Sequence, residues 1–188
     1  MAGSLSPSVQ QVSGAMQIEI RKGLALQPGT FSAVISPENV IVTALNSNAD
    51  LQRFLFLYVS GNYSRILHGI SRKSTNFEVR RAFTAHQLFK TLHEAAHTIV
   101  FVEHDPTLFE GAGEMIRPVA DALREAGRES LVILYTPSPD RTFSALARAA
   151  SHYVEIVAVE PEQRQVRTTR LLRQNGMRSA GQQVLEVS

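Results

Sequence analysis

The chain has 188 residues, a formal charge of only +2 and no cysteine. That length suits one full hydrophobic core rather than two. The missing cysteine excludes disulfides and thiolate metal sites, and no apolar run reaches the roughly 18 residues that a membrane-spanning helix needs. No basic-then-apolar secretory signal heads the sequence, so a cytoplasmic location with no membrane contact is expected.

Residues 1–15 are rich in Ser, Gly and Gln without an apolar period and read as a flexible leader, leaving 16–188 as a single domain. From Met16 short β segments, QIEI and GLAL, lead to Pro28-Gly29, a turn. Phe31–Ser36 and Val40–Leu45 read as strands on either side of a Pro37-Glu38-Asn39 turn, the second entering the central sheet. After Asn46-Ser47-Asn48, Asp50 caps an expected helix through Leu51, Phe54, Leu55, Leu57 and Tyr58, ended by Gly61-Asn62.

Arg65–Ile70 and Phe77–Ala82 are short strand candidates, separated by a basic loop with Arg72 and Lys73. Thr84 caps an expected helix from Ala85 to about Ala96 with Leu88, Phe89 and Leu92 inward. Thr98–Val102 is an unbroken β-branched and aromatic run, the pattern of a parallel strand covered on both faces. It stops abruptly at Glu103-His104-Asp105-Pro106, which makes those acids and the imidazole the first site candidates, because open α/β sheets hold ligands at the carboxyl ends of their strands.

Ile116, Val119, Ala120 and Leu123 recur at helical spacing until Gly127; Leu131–Tyr135 is an apolar strand, Arg141–Ala150 a helix and Tyr153–Val159 a strand. Val166–Leu172 and Val184–Val187 read as paired terminal strands. Strands alternating with helices give an α/β fold, a mainly parallel central sheet with helices on both faces and antiparallel strands at the C-terminal edge. Arg164, Arg167, Arg170, Arg173 and Arg178 crowd the carboxyl end, where they either track nucleic-acid phosphates or solvate a strand pair.

Four pieces, in order, resemble the RecA-like ATPase core in its archaeal RadA and KaiC-like branch. NFEVRRAFTAHQLFKTL is similar to the strand and helix before Walker B, TIVFVEHDPTLF to the Walker B strand LIVIDSLTSLF, SLVILYTPSPD to the next core strand, and LARAASHYVEI to the approach to a terminal strand. The resemblance runs from about Gly29 to the carboxyl end and implies a RecA-like three-layer sandwich.

A working member carries GxxxxGK[ST] after its first core strand, where backbone amides cradle the phosphates, lysine reaches them and the hydroxyl holds magnesium. The corresponding stretch here is read as Thr43 to Asp50. Thr43 and Asn48 stand at the glycine positions, Ala49 replaces the lysine and Asp50 the Ser/Thr, while Glu103 replaces the metal-orienting aspartate. A lost cation and an added anion disfavour a triphosphate. The expectation is therefore a degenerate nucleotide site without catalytic residues, cofactor or ordinary ATP binding: an interaction module, an accessory or regulatory paralogue in DNA recombination and repair or KaiC-like signalling. The resemblance implies a protein partner or homo-oligomer, or DNA at the arginine-rich end.

A rival motif carries different chemistry. His93-Glu94-Ala95-Ala96-His97 is a literal HExxH, which on a helix sets two imidazoles on one face as in a zinc-dependent hydrolase, with Glu103 as third ligand. The apolar run that follows His97 points instead to a helix end, and the glycine and third histidine of metzincins are missing. Glu110 and Glu114 around GAG read as helix-capping groups, and Ser138, Asp140 and His152 lack the nucleophile elbow of a triad.

Overall fold

A computed structural model describes residues 18–21, 23–48, 51 and 53–157. Its centre is a six-stranded sheet in the order β5-β4-β6-β7-β3-β8, every neighbouring pair parallel. The strands are β3 (Thr30–Ile35), β4 (Phe56–Ser60), β5 (Phe77–Arg81), β6 (Ile99–Glu103), β7 (Leu131–Thr136) and β8 (His152–Glu155). A separate antiparallel ribbon joins β1 (Ile18–Arg21) to β2 (Leu24–Leu26).

Sequence pattern and burial agree at the centre. Every residue of β4, β6 and β7 is buried, as expected of parallel strands covered on both sides. One face packs against α2 (Ala85–His93), α3 (Ile116–Ala126) and α4 (Arg141–Ala147), through Leu88, Leu92, Val119, Leu123, Phe143 and Leu146 on Leu57, Val59, Val100, Val102, Val132 and Leu134. The other packs against α1 (Glu38–Ser47), the β1–β2 ribbon and residues 66–70. On that face Phe77, Phe56, Phe101 and Tyr135 form a run of neighbouring rings across four strands, their centroids 4.8, 6.4 and 5.7 Å apart, with Tyr58 stacked on Phe101 at 5.3 Å.

Several boundaries are legible locally. Thr84 accepts a hydrogen bond from Gln87 N and starts α2, Asp140 accepts from Phe143 N and starts α4, and Gly127 follows α3. Gly127 is also a close approach: a Cβ there would lie 3.0 Å from Phe31 N and Phe31 Cβ, so a larger residue would push the helix end away from β3.

Three expected elements are overturned. Val40–Leu45 is not a strand but the body of α1; its buried residues Ile41, Ala44 and Leu45 recur at i, i+3 and i+4, and Pro37 fixes φ at −55° immediately before it. The helix expected through Leu51–Tyr58 gives way to β4, because Phe56-Leu57-Tyr58-Val59-Ser60 is needed between β5 and β6 and is buried on both faces. Arg65–Ile70 likewise holds a 3-10 turn at Leu67–Gly69 rather than a strand. The terminal strands expected at 166–172 and 184–187 lie outside the described residues, and β8 ends at Glu155.

The connections fix where a site can form. From β3 the chain crosses by α1 over one face to β4, whereas from β7 it crosses by α4 over the opposite face to β8. The two connections leave adjacent strands over opposite faces, and the carboxyl ends of such strands are the usual ligand position of open parallel sheets. Ser36-Pro37, Glu103-His104 and Thr136–Asp140 follow those ends here. No described helix is long and apolar enough to cross a membrane.

Candidate functional site

Glu103 is the last residue of β6 and only 4% exposed. Both its carboxylate oxygens are occupied: Oε2 accepts from the Tyr58 hydroxyl, and Oε1 accepts from the backbone N–H of Arg65 at 2.8 Å. Tyr58 Oη is also 3.0 Å from Ser64 Oγ, which in turn accepts from Leu67 N at 3.0 Å. The carboxylate thus ties the 61–67 segment to two central strands. Burial, and then the negative charge of Glu103, push the Tyr58 phenol far above its ordinary range, so it stays a donor. Tyr135, the neighbour of Glu103 across the sheet, donates to Ser36 O at 3.2 Å and closes the β3 side.

His104 turns away from this network. Its side chain is 2% exposed, lies edge-on to Phe143 at 5.5 Å and places Nε2 3.1 Å from both carboxylate oxygens of Asp140. Burial lowers the His104 pKa despite the opposing pull of Asp140 and Asp105, so the neutral ring donates from Nε2. Burial alone would raise the Asp140 pKa, but the Phe143 N–H and His104 outweigh it and the carboxyl titrates below its ordinary value. The pair joins the end of β6 to the start of α4.

Asp105 caps the 3-10 turn Pro106–Phe109, with Oδ1 accepting from Thr107 N at 3.0 Å and Thr107 Oγ1 at 2.7 Å. Its other oxygen lies over Gly61 at the end of β4, where a Cβ would be 2.0 Å from Oδ2. The three consecutive polar residues after the β6 run therefore have three separate structural partners.

The other expected site positions do not converge here. Thr43 lies within α1, Asn48 caps its end, and Ala49 and Asp50 fall outside the described residues, so the strand–loop–helix setting expected for 43–50 is absent. The HExxH histidines do not share a helical face, because α2 ends at His93, with Glu94 as its cap. His93 packs edge-on against Phe89 at 4.4 Å, while His97 Nε2 meets Glu78 Oε2 at 3.0 Å. No group of three or more metal-capable side chains occurs among the described residues. His152 is exposed on β8, and Asp140 is engaged by His104 rather than by Ser138 and His152. Arg164, Arg167, Arg170 and Arg173 lie outside the described residues.

Sequence reasoning located Glu103 and His104 but missed their partners. Tyr58 and Asp140 lie 45 and 36 residues away in the chain, and no local pattern links them. Asp140 as a cap before Arg141 was a readable signal; its second role toward His104 was not.

No family model matches the chain. A protein of Archaeoglobus fulgidus, described as an uncharacterized protein, is 39% identical over 133 residues, which cover 70% of this chain and 67% of that protein. At that identity and coverage the chain belongs to the same family as the Archaeoglobus protein.

Proposed function

We propose that this chain is a RecA-like interaction module without ATPase activity, an accessory or regulatory relative of recombination or KaiC-like ATPases. The observation that carries the reading is the turn after β3, the first strand of the parallel sheet in chain order. Only Ser36 and Pro37 separate Ile35, the end of the strand, from Glu38, the start of α1. A phosphate-binding loop of the GxxxxGK[ST] kind needs eight residues, successive backbone N–H groups and a lysine. Here the turn is two residues long, one of them a proline without an N–H, and an acid opens the helix.

This sharpens the expectation from sequence: in the RecA-like reading the loop is shortened away rather than degenerate at Thr43–Asp50. The acidic position beside it supports the same conclusion, since Glu103 holds Tyr58 and the Arg65 amide with both oxygens. Glu38 adds a second carboxylate, its charge met by Arg65 at 4.0 Å. A triphosphate brought to these strand ends meets two carboxylates and, in place of a positioned lysine, only an arginine already paired to one of them, which disfavours it. The fold then serves as a rigid platform for binding a partner. A phosphate-release assay on the full chain with ATP and magnesium tests the proposal: release at the background rate is expected, and turnover abolished by Glu103→Ala would overturn it.

A further inference from the structure

The outer edge of β5 carries no paired strand among the described residues. Ala82 N donates to Ser60 O and Asn76 O accepts from Phe56 N, so the even-numbered residues of β5 direct their backbone groups toward β4. The alternation of a strand then sends the N–H and C=O of Val79 outward. Val79 is 36% exposed, and Glu78 and Arg80 flank it with side chains 45% and 34% exposed. Charged residues on an open edge ordinarily repel foreign strands. This edge has a further property: read outward from Val79, acid stands on one side and base on the other.

We propose that β5 is the contact through which two copies of this chain associate, their β5 strands pairing antiparallel about a two-fold axis at Val79. In that register the two Val79 residues exchange both N–H···O bonds. Glu78 of each copy falls opposite Arg80 of the other, in the positions between hydrogen-bonded pairs where opposed side chains approach most closely. Phe77 falls opposite Arg81 of the second copy, and Phe83, 57% exposed beyond the strand, comes against the turn at Thr75. A two-fold contact must be self-complementary, and the order Glu-Val-Arg is so in this register alone. Moving the pairing by two residues sets Glu78 against Glu78 and Val79 against Phe77 in one direction, or Arg80 against Arg80 and Val79 against Arg81 in the other. In the free chain Arg80 Nε donates to Glu78 Oε1, so the two charges are already on one face and exchange a partner in the same chain for one in the second.

The proposal gives the interaction-module reading a partner, a second copy, and rests on that reading only in this respect. A chain that turns over ATP and still pairs through β5 would refute the one and leave the other standing.

The test is the molar mass of the full chain by light scattering after size exclusion, with circular dichroism to verify folding. Glu78→Lys and Arg80→Glu each set like charges opposite one another and are expected to weaken association at least about tenfold. The double variant Glu78→Lys/Arg80→Glu restores complementarity and the dimer. Mixed together, the two single variants are also complementary, because each position 78 of one faces the opposite charge at position 80 of the other, and a heterodimer is expected. A wild-type chain that stays monomeric at high micromolar concentration, or a dimer that ignores both single reversals, overturns the proposal. So does a pair of folded single variants that remain monomeric when mixed.

Discussion

Replacing Glu103 by alanine separates a structural carboxylate from a metal-orienting one. The substitution removes the acceptor for the Tyr58 hydroxyl and for the Arg65 amide, both inside the protein. A hydrogen bond to a charged group contributes about 1.5–3 kcal/mol, and a buried donor left unsatisfied costs about 1–3 kcal/mol. Tyr58 keeps Ser64 as a second partner at 3.0 Å, which limits its loss; the Arg65 N–H has no second acceptor among the described residues. Against this, the variant no longer buries a carboxylate, which offsets several kcal/mol of desolvation. The net expectation is a loss of about 2–4 kcal/mol, with the 61–67 segment loosened first. Urea unfolding followed by circular dichroism measures it, and a cycle with Tyr58→Phe should give a coupling of at least about 1 kcal/mol. A Glu103→Ala protein within about 0.5 kcal/mol of wild type would refute the reasoning. So would a wild-type chain stabilised by magnesium through Glu103, since both of its oxygens already accept hydrogen bonds inside the protein.

Gly61→Ala should destabilise the chain by about 1–3 kcal/mol, because its Cβ would lie 2.0 Å from Asp105 Oδ2 and 2.8 Å from Asp105 Cβ, beyond the relief of a rotamer change. Adding Asp105→Gly to that variant should recover part of the loss in the same unfolding measurement. The lowered pKa of His104 makes the folded state favour the neutral ring: its contribution is complete above the ordinary value of about 6.5 and is lost as pH falls below it. Thermal melts between about pH 7.5 and about pH 5 should show that loss, and His104→Gln should flatten it over this window. The depressed Asp140 carboxyl acts lower, its contribution present above about 3.8 and lost as pH falls through its folded value. Thr84→Ala removes the acceptor for Gln87 N at the start of α2 and should cost about 1 kcal/mol.

What the sequence reveals here depends on whether the signal is local. Thr98–Val102 reads as a covered strand because five β-branched and aromatic residues follow without polar alternation, and β6 is the central strand they form. Thr84, Asp140 and Gly127 mark helix ends by chemistry confined to one turn. Val40-Ile41-Val42 misleads by the same logic: β-branched composition favours a strand, yet the face that is buried has helical spacing, and packing of Ile41, Ala44 and Leu45 under the sheet decides. In the proposed RecA-like reading, that single misreading displaces the expected phosphate loop by one element, from the turn at Ser36-Pro37 to the end of α1. The partners of Glu103 and His104 were illegible for a different reason. They meet only because parallel strands distant in sequence share one carboxyl end, which sheet order determines and local composition does not.

The central claim, that a RecA-like core here has no place for a nucleoside triphosphate, is tested most directly by titrating ATP with magnesium into the full chain in a calorimeter. The account predicts no saturable heat at millimolar nucleotide. Saturable, magnesium-dependent binding that Pro37 or Glu103 substitutions weaken would contradict it.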